Sequence, residues 1–142
     1  MVNKSLLAAK LAELKDRMDR VRAHTPATAD ALATNRDALD LVSFNLLLSV
    51  QVCADIASHL IADERWPSAR SLAEGFTRLA EQGVLLPATA AALKQAVGLR
   101  NVVAHGYTAL DVGACFRAAT DGLHELSSFA QQVSSWASRR TS

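Results

Sequence analysis

Residues 39–61, with the sequence LDLVSFNLLLSVQVCADIASHLI, contain the longest near-apolar run of this 142-residue chain. The apolar side chains fall on more than one stripe of a helix. A helix that is apolar nearly all round is buried on several sides. In a chain of this length we expect one side to meet the core and another to meet a second subunit. The stretch therefore predicts a helical core and a homodimer.

Polar side chains within this stretch argue against a membrane span. The near-apolar run covers only residues 41–54, four polar residues interrupt it, and Asp55 closes it. A spanning helix needs about 20 consecutive apolar residues. The N-terminus shows no apolar segment with a small-residue cleavage site. We therefore expect a cytoplasmic protein with no membrane partner. In that compartment Cys53 and Cys115 are predicted to be buried, reduced thiols.

On both sides of this stretch, apolar residues spaced three to four apart predict further helices. Thr25-Pro26 favours a helix start, with Thr as cap and Pro in the first turn. Gly83 marks a helix exit and Asp111 a helix start. The predicted helices cover residues 3–23, about 26–62, about 68–81, 87 into the 100–107 stretch, and about 111–136. We thus predict one all-α domain, residues 1–142, that forms an up-and-down bundle of about five helices.

Composition agrees with helices and limits the type of binding. Only 5% of residues are aromatic, and Ala and Leu outnumber Val and Ile. That mixture favours helix over strand. The net charge is only +1, whereas a broad electrostatic nucleic-acid binder is usually more basic. Any contact with nucleic acid is therefore expected to be local, or shared across an oligomer.

Residues 100–107, RNVVAHGY, concentrate polar groups in an otherwise apolar segment. On an uninterrupted helix, Arg100 and His105 would lie about 140° apart. Gly106 is typical of a helix C-terminus, where the chain bends and the imidazole can turn back towards Arg100. The guanidinium fork can hold two phosphate oxygens, and an imidazole can move a proton near neutral pH. The segment predicts a phosphate site with acid–base chemistry.

Other residues have weaker interpretations. Asn101 could orient the histidine or hold a ribose hydroxyl, and Tyr107 offers a phenol in the same turn. Taken singly, the motif residues could instead be a helix cap, an interior histidine and a surface anchor. Asp55 and His59 share a helix face, but two ligands are too few for a metal. A supporting role, structural or beside the cleft, is expected for Asp55.

The motif resembles the signature of the HEPN superfamily, and its tyrosine matches the R-x(4)-H-x-Y pattern of the HepT-like branch. Residues 54–62, ADIASHLIA, resemble the segment D-I-A-x-H-I-I-A of that branch. Residues 98–101, GLRN, resemble its G-F-R-N. Phe76, Leu79, Gly83 and Leu86-Pro87 resemble its F-x-x-L-x-x-x-G-x-L/I-P. The resemblance covers about residues 35–135.

This resemblance implies a metal-independent ribonuclease toxin that works as a homodimer and needs no cofactor. The 2′-hydroxyl of the RNA substrate attacks, and a cyclic phosphate is the expected product. Carried onto this chain, Arg100 would stabilise the phosphorane and His105 would serve as acid or base. Asn101 would support them.

The resemblance also implies a partner, a minimal nucleotidyltransferase antitoxin that transfers AMP from ATP to Tyr107. An anionic nucleotide there would occupy the phosphate site and block RNA. The branch often has Glu between the histidine and the tyrosine, where this chain has Gly106. The alternative is a non-catalytic HEPN protein that acts as scaffold or substrate-recognition partner of a nucleotidyltransferase.

Overall fold

The computed structural model describes residues 2–104 and 111–140, and for residues 102–104 it gives the helical backbone only. This part of the chain is entirely helical and contains no strand, so the predicted all-α class is confirmed. The helices are α1 (Lys4–His24), α2 (Ala29–Thr34), α3 (Arg36–Asp63), α4 (Leu72–Glu81), α5 (Pro87–Ala104), α6 (Val112–Ala119) and α7 (Asp121–Arg139).

The described ranges hold seven helices where about five were predicted, because two of the predicted helices are divided. Asn35 separates α2 from α3, and its side chain accepts a hydrogen bond from the Ala38 amide at 3.0 Å. Thr120 separates α6 from α7, and its hydroxyl donates to the Phe116 carbonyl at 2.8 Å. Short polar side chains of this kind compete with the helical backbone hydrogen bonds. Apolar periodicity does not detect such breaks.

Two predicted helix starts are also wrong. Thr25 does not begin a helix: it is the C-cap of α1, and its hydroxyl donates to the Val21 carbonyl at 2.6 Å. The next helix begins after Thr28, whose side chain accepts from the Ala31 amide. Similarly, α4 begins only after Ser71, although residue 68 was predicted. In each place two cap residues lie three positions apart, Thr25 and Thr28 in one and Ser68 and Ser71 in the other, and the second one caps the helix.

The helix α3 is the centre of the bundle and packs against each of the other six helices. It is long and apolar enough to cross a membrane, alone among the described helices, but 61% of its most apolar 18-residue window is buried inside the bundle. That burial explains its composition as that of a core helix. Two large apolar side chains of α3 remain exposed, Leu41 at 41% and Phe44 at 53%.

The exits of α3 and α4 use the same backbone motif. After α3, the Trp66 amide donates to the Ile61 carbonyl at 3.0 Å, while Arg65 adopts a left-handed φ of 57°. After α4, Gly83 takes the equivalent position with φ 77°, as predicted. This is the Schellman arrangement, in which glycine is the usual residue. Trp66 then packs edge-on against Trp136 of α7, with ring centroids 5.7 Å apart.

The helix α5 connects this core to the motif. It packs against α3, α4, α6 and α7, and Leu93 and Val97 on its inner face are buried. Pro87 begins the helix, as predicted, in the first-turn position that proline tolerates. The packing places Arg100, near the end of α5, beside the middle of α3. Arg100 meets α3 at Gln51, and Asp55, for which a place beside the cleft was considered, lies one helical turn after Gln51.

Candidate active site

Arg100 is held between two helices by two neutral side chains. Its Nη2 donates to the Oε1 of Gln51 on α3 at 2.8 Å, and its Nη1 donates to the Oδ1 of Asn101 at 2.9 Å. The side chain is half-buried. Its Nε is buried and has no hydrogen-bond partner among residues 2–104 and 111–140. The guanidinium is therefore fixed in place by two of its three nitrogens.

A polar chain continues from Gln51 to α1. The Nε2 of Gln51 donates to the Oδ1 of Asp55 at 3.1 Å, one turn further along α3. The Oδ2 of Asp55 lies 3.6 Å from the Nζ of Lys10, a half-buried lysine on α1. Three helices are thus linked by one sequence of polar contacts that ends at Arg100. Residues four apart on a helix face each other, which explains how Gln51 and Asp55 meet.

The predicted site residues have different outcomes. Asn101 contacts Arg100 directly, and its predicted roles towards the histidine or a ribose hydroxyl remain predictions. Asp55 reaches Arg100 only through Gln51, and its partners in the described part of the chain are Gln51 and Lys10. His59 is exposed on the surface of α3. His105 and Tyr107 lie outside the described residues, so their predicted roles remain predictions.

Gln51 is the residue that the sequence analysis missed. In the sequence it is one of the four polar residues that interrupt the apolar run of residues 41–54. Its spacing of four residues from Asp55 was an available signal, because a glutamine and a carboxylate at that spacing hydrogen-bond on one helix face. Nothing in the sequence, however, connects position 51 with position 100, since that pairing depends on how α3 and α5 pack.

The charge of Arg100 is oriented without being neutralised. Its hydrogen-bond partners are two uncharged amide oxygens, and within the described ranges no carboxylate pairs with it. The acid in the polar path described above is Asp55. It contacts Gln51 and Lys10 but does not contact Arg100. An unpaired guanidinium can bind two oxygens of a phosphate and stabilise negative charge that develops there. This arrangement suits an anion-binding centre.

A cavity of about 470 Å³ borders Arg100 between α3, α5, α6 and α7. This volume lies within the range of small-ligand pockets. Its charged lining residues are Arg100, Arg117, Asp121 and Glu125, and most of the remaining wall is apolar. Arg100 therefore borders a partly open cavity and does not lie on a flat surface.

The described residues around Arg100 form no cluster of metal ligands, and both thiols are buried. Among residues 2–104 and 111–140, no group of three His, Cys, Asp or Glu side chains lies together as a metal site requires. Cys53 is fully buried, and burial raises the pKa of its thiol strongly. Burial also raises the pKa of Cys115, and a hydrogen bond with Ser43 opposes the shift in part. Both thiols are therefore neutral, as predicted for buried reduced cysteines.

Comparison with known proteins identifies the family. The model of the family described as ribonuclease HepT-like matches residues 14–133. The chain belongs to the HepT-like ribonuclease family. The resemblance found in the sequence is thereby confirmed at the level of the family. Among curated proteins, the mRNA nuclease HepT of Shewanella oneidensis is 33% identical over 73 residues. That match covers 51% of this chain and spans only 55% of the relative's length.

Solved structures agree with the fold of this HepT-like protein. A tri-AMPylated HEPN toxin of Shewanella oneidensis in complex with an MNT antitoxin superimposes with a TM-score of 0.86 at 23% identity. The superposition covers 95% of this chain and 99% of that one. A toxin–antitoxin structure with AMP-PNP gives a TM-score of 0.86 at 22% identity, over 92% of this chain and 98% of the other. Similarity at this level establishes the all-helical HEPN architecture.

Proposed function

We propose that this HepT-like protein is a metal-independent endoribonuclease, the toxin of a toxin–antitoxin pair, which acts on RNA as a cytoplasmic homodimer. The observation that carries the proposal is the state of Arg100. Two neutral oxygens orient its guanidinium while its positive charge stays available. In this sequence the arginine lies five residues before a histidine, and the family to which the chain belongs is one of ribonucleases.

The proposed reaction needs only these two side chains and the RNA itself. The 2′-oxygen of a ribose forms a bond to the adjacent phosphorus, and the bond from phosphorus to the 5′-oxygen breaks. One proton passes overall from the 2′-hydroxyl to the leaving 5′-oxygen: His105 takes it as base or delivers one as acid, and solvent exchanges the proton at the other oxygen. Arg100 binds the non-bridging oxygens as their negative charge grows. The products are a 2′,3′-cyclic phosphate and a 5′-hydroxyl, so no water is consumed.

The exposed apolar residues of α3 support the homodimer. Phe44 is 53% exposed, and Leu48, one turn along, is half-buried on the same stripe. The stripe continues to Gln51 and Asp55, because residues three and four apart share a helix face. A second copy packed on Leu41, Phe44 and Leu48 would bring its own Arg100 towards the same cleft. Two such cations would compensate for the low net charge of one chain.

Tyr107 is the proposed control point. It is the only tyrosine of the chain, and it lies two residues after His105. The proposed partner is a minimal nucleotidyltransferase, and a neighbour of the same fold is a tri-AMPylated toxin bound to an MNT antitoxin. In the proposed step the phenolic oxygen attacks the α-phosphorus of ATP and pyrophosphate leaves. The resulting nucleotide would present its phosphate to Arg100 and exclude RNA.

Cleavage of RNA by the purified protein tests this function. We expect the wild type to cut RNA in the presence of EDTA and to leave cyclic phosphate ends. Arg100→Ala and His105→Ala should each lose at least about a hundredfold in rate, as loss of one charge-stabilising or proton-transferring group does elsewhere. Arg36→Ala is the matched control, because the Arg36 side chain is 89% exposed on the same bundle.

Two results would contradict the proposal. One is RNA that stays intact with correctly folded wild type. The other is a rate that is equal in all four proteins. Expression of the chain without its partner then decides the alternative. A harmless protein that still binds the nucleotidyltransferase would be a non-catalytic scaffold or substrate-recognition module, whereas growth arrest that Arg100→Ala relieves would support the nuclease.

A further inference from the structure

We propose that Gln51 is a positioning residue that sets the orientation of the Arg100 guanidinium, with Asp55 and Lys10 acting through it. The proposal deepens the ribonuclease function and rests on it. The geometry is a single path of contacts: 3.6 Å from Lys10 to Asp55, 3.1 Å from Asp55 to Gln51, and 2.8 Å from Gln51 to Arg100. Asp55 therefore supports the site without touching the guanidinium.

The two neighbours of Gln51 allow only one orientation of its amide. A guanidinium can only donate hydrogen bonds, and an ionised carboxylate can only accept them. Asp55 accepts from the Nε2, so the Oε1 must point to Arg100. A flipped amide would place two donors together on one side and two acceptors on the other. The carboxylate of Asp55 and the guanidinium of Arg100 thus favour the same orientation of the Gln51 amide, and Asp55 holds that orientation from the far side.

Glutamine also has the correct charge for this position. A carboxylate at the same place would pair with Arg100 and compete with phosphate for the same nitrogens. A neutral oxygen holds the guanidinium and leaves its charge for the substrate. The acidic member of the path, Asp55, is one step further away and is balanced by Lys10. The path therefore orients the Arg100 guanidinium through a neutral side chain, and the negative charge of Asp55 is balanced by Lys10 and not by Arg100.

Two substitutions separate these roles in the full-length protein. Gln51→Met keeps the shape of the side chain but removes both hydrogen bonds. We expect kcat to fall by about tenfold to a hundredfold, because a small misplacement of a reacting group costs that much. Gln51→Glu keeps an acceptor for Arg100 but adds a charge, so we expect mainly a higher KM for RNA. Gln131→Met and Gln131→Glu are the controls, since Gln131 is exposed on α7.

A readout that does not need RNA distinguishes this proposal from the ribonuclease function. In NMR spectra with labelled arginine, the Nε–H of Arg100, assigned by its loss in Arg100→Lys, should be ordered and slow to exchange because it is buried. Gln51→Met should broaden it or speed its exchange, while the melting temperature stays near that of the Gln131 controls.

If the wild type cleaves RNA but Gln51→Met retains wild-type kcat, KM and Arg100 signal, the positioning role is refuted and the function stands. If the wild type fails to cleave RNA, the function is refuted, and the Arg100 signal alone decides: a change in Gln51→Met supports the positioning role and an unchanged signal refutes it. A general loss of folding in Gln51→Met, seen as a collapsed melting transition, would also refute it, because the residue would then be structural.

Discussion

The side-chain oxygen of Gln51 accepts a hydrogen bond from Arg100 at 2.8 Å, although the two residues lie 49 positions apart. This contact joins the core helix α3 to the end of α5, where the predicted catalytic motif begins. A partly buried arginine commonly pairs with a carboxylate. Here a neutral amide oxygen takes the place of that carboxylate. The candidate site is therefore anchored to α3, which packs against each of the other described helices, and no carboxylate in the described part of the chain pairs with the Arg100 guanidinium.

Substitution of Phe44 tests the homodimer. We expect Phe44→Asp to yield a monomer with much reduced RNA cleavage, because a charge on the exposed stripe of α3 would oppose its burial against a second copy. The side chain is 53% exposed in the single chain, so folding should change little, by about 0.5 kcal/mol or less. Molar mass from light scattering after gel filtration measures the oligomeric state.

Leu86→Asp serves as its control, since Leu86 is 63% exposed but lies at the start of α5, away from the stripe. The control should keep the mass and activity of the wild type. A dimeric Phe44→Asp protein would show that another surface mediates association. A monomeric wild type that cleaves RNA would remove the need for a second copy altogether.

Modification of Tyr107 is measurable by intact mass. After co-expression with a minimal nucleotidyltransferase, we expect the wild type to gain whole AMP units and to lose RNA cleavage. The chain has no other tyrosine, so Tyr107→Phe should gain none. An inactive nucleotidyltransferase is the control for adventitious mass changes. AMP units that persist on Tyr107→Phe would place the modification on another residue type.

The two cysteines should be unreactive in the native protein. Burial raises the pKa of both thiols, so thiolate is scarce at neutral pH and access is blocked. We expect iodoacetamide to label neither cysteine in the folded state and both in guanidinium chloride, as measured by mass spectrometry. Rapid native labelling of either cysteine would contradict the burial described here.

The same shifts predict how stability depends on pH. In the folded protein the pKa of each thiol is raised above its value in the unfolded chain. The folded state is therefore stabilised fully below the pKa of the unfolded thiols, and this stabilisation declines as the pH rises past that pKa, from about pH 8.5 upwards. Denaturant titrations at increasing pH should show this decline. Cys53→Ala compared with the wild type over the same range should flatten the decline, and an unchanged slope would count against the assignment.

Matched substitutions at two helix exits test backbone strain. Arg65, at the exit of α3, has a left-handed φ of 57°. Gly83 occupies the equivalent position at the exit of α4, with a φ of 77°. A non-glycine residue in this conformation costs about 1–2 kcal/mol. We therefore expect Arg65→Gly to raise the free energy of unfolding by about 1 kcal/mol and Gly83→Ala to lower it by about 1–2 kcal/mol. Urea titrations measure both, and a destabilised Arg65→Gly would show that the arginine side chain contributes more than its backbone costs.

Much of the fold follows from local patterns in the sequence. The helices α1 and α5 begin at or beside the predicted residues, and Gly83 and Asp111 have the predicted boundary roles, because spacing, proline, glycine and caps act within a few residues. The breaks at Asn35 and Thr120 were missed, since apolar periodicity continues across them. There the side chains of two polar residues form backbone hydrogen bonds that a pattern of apolar positions does not contain.

The sequence by itself determined the helical class and the family, and it predicts phosphate binding and proton transfer for residues 100–107, because each depends on residue types at short spacing. The tertiary structure alone decided how Arg100 is held. Contact between positions 51 and 100 needs α3 and α5 to pack at one relative rotation and height, and that geometry arises from the whole core. It also decided the inter-helix contact of Asp55: only the packing of α1 against α3 brings the Lys10 Nζ within 3.6 Å of the Asp55 carboxylate.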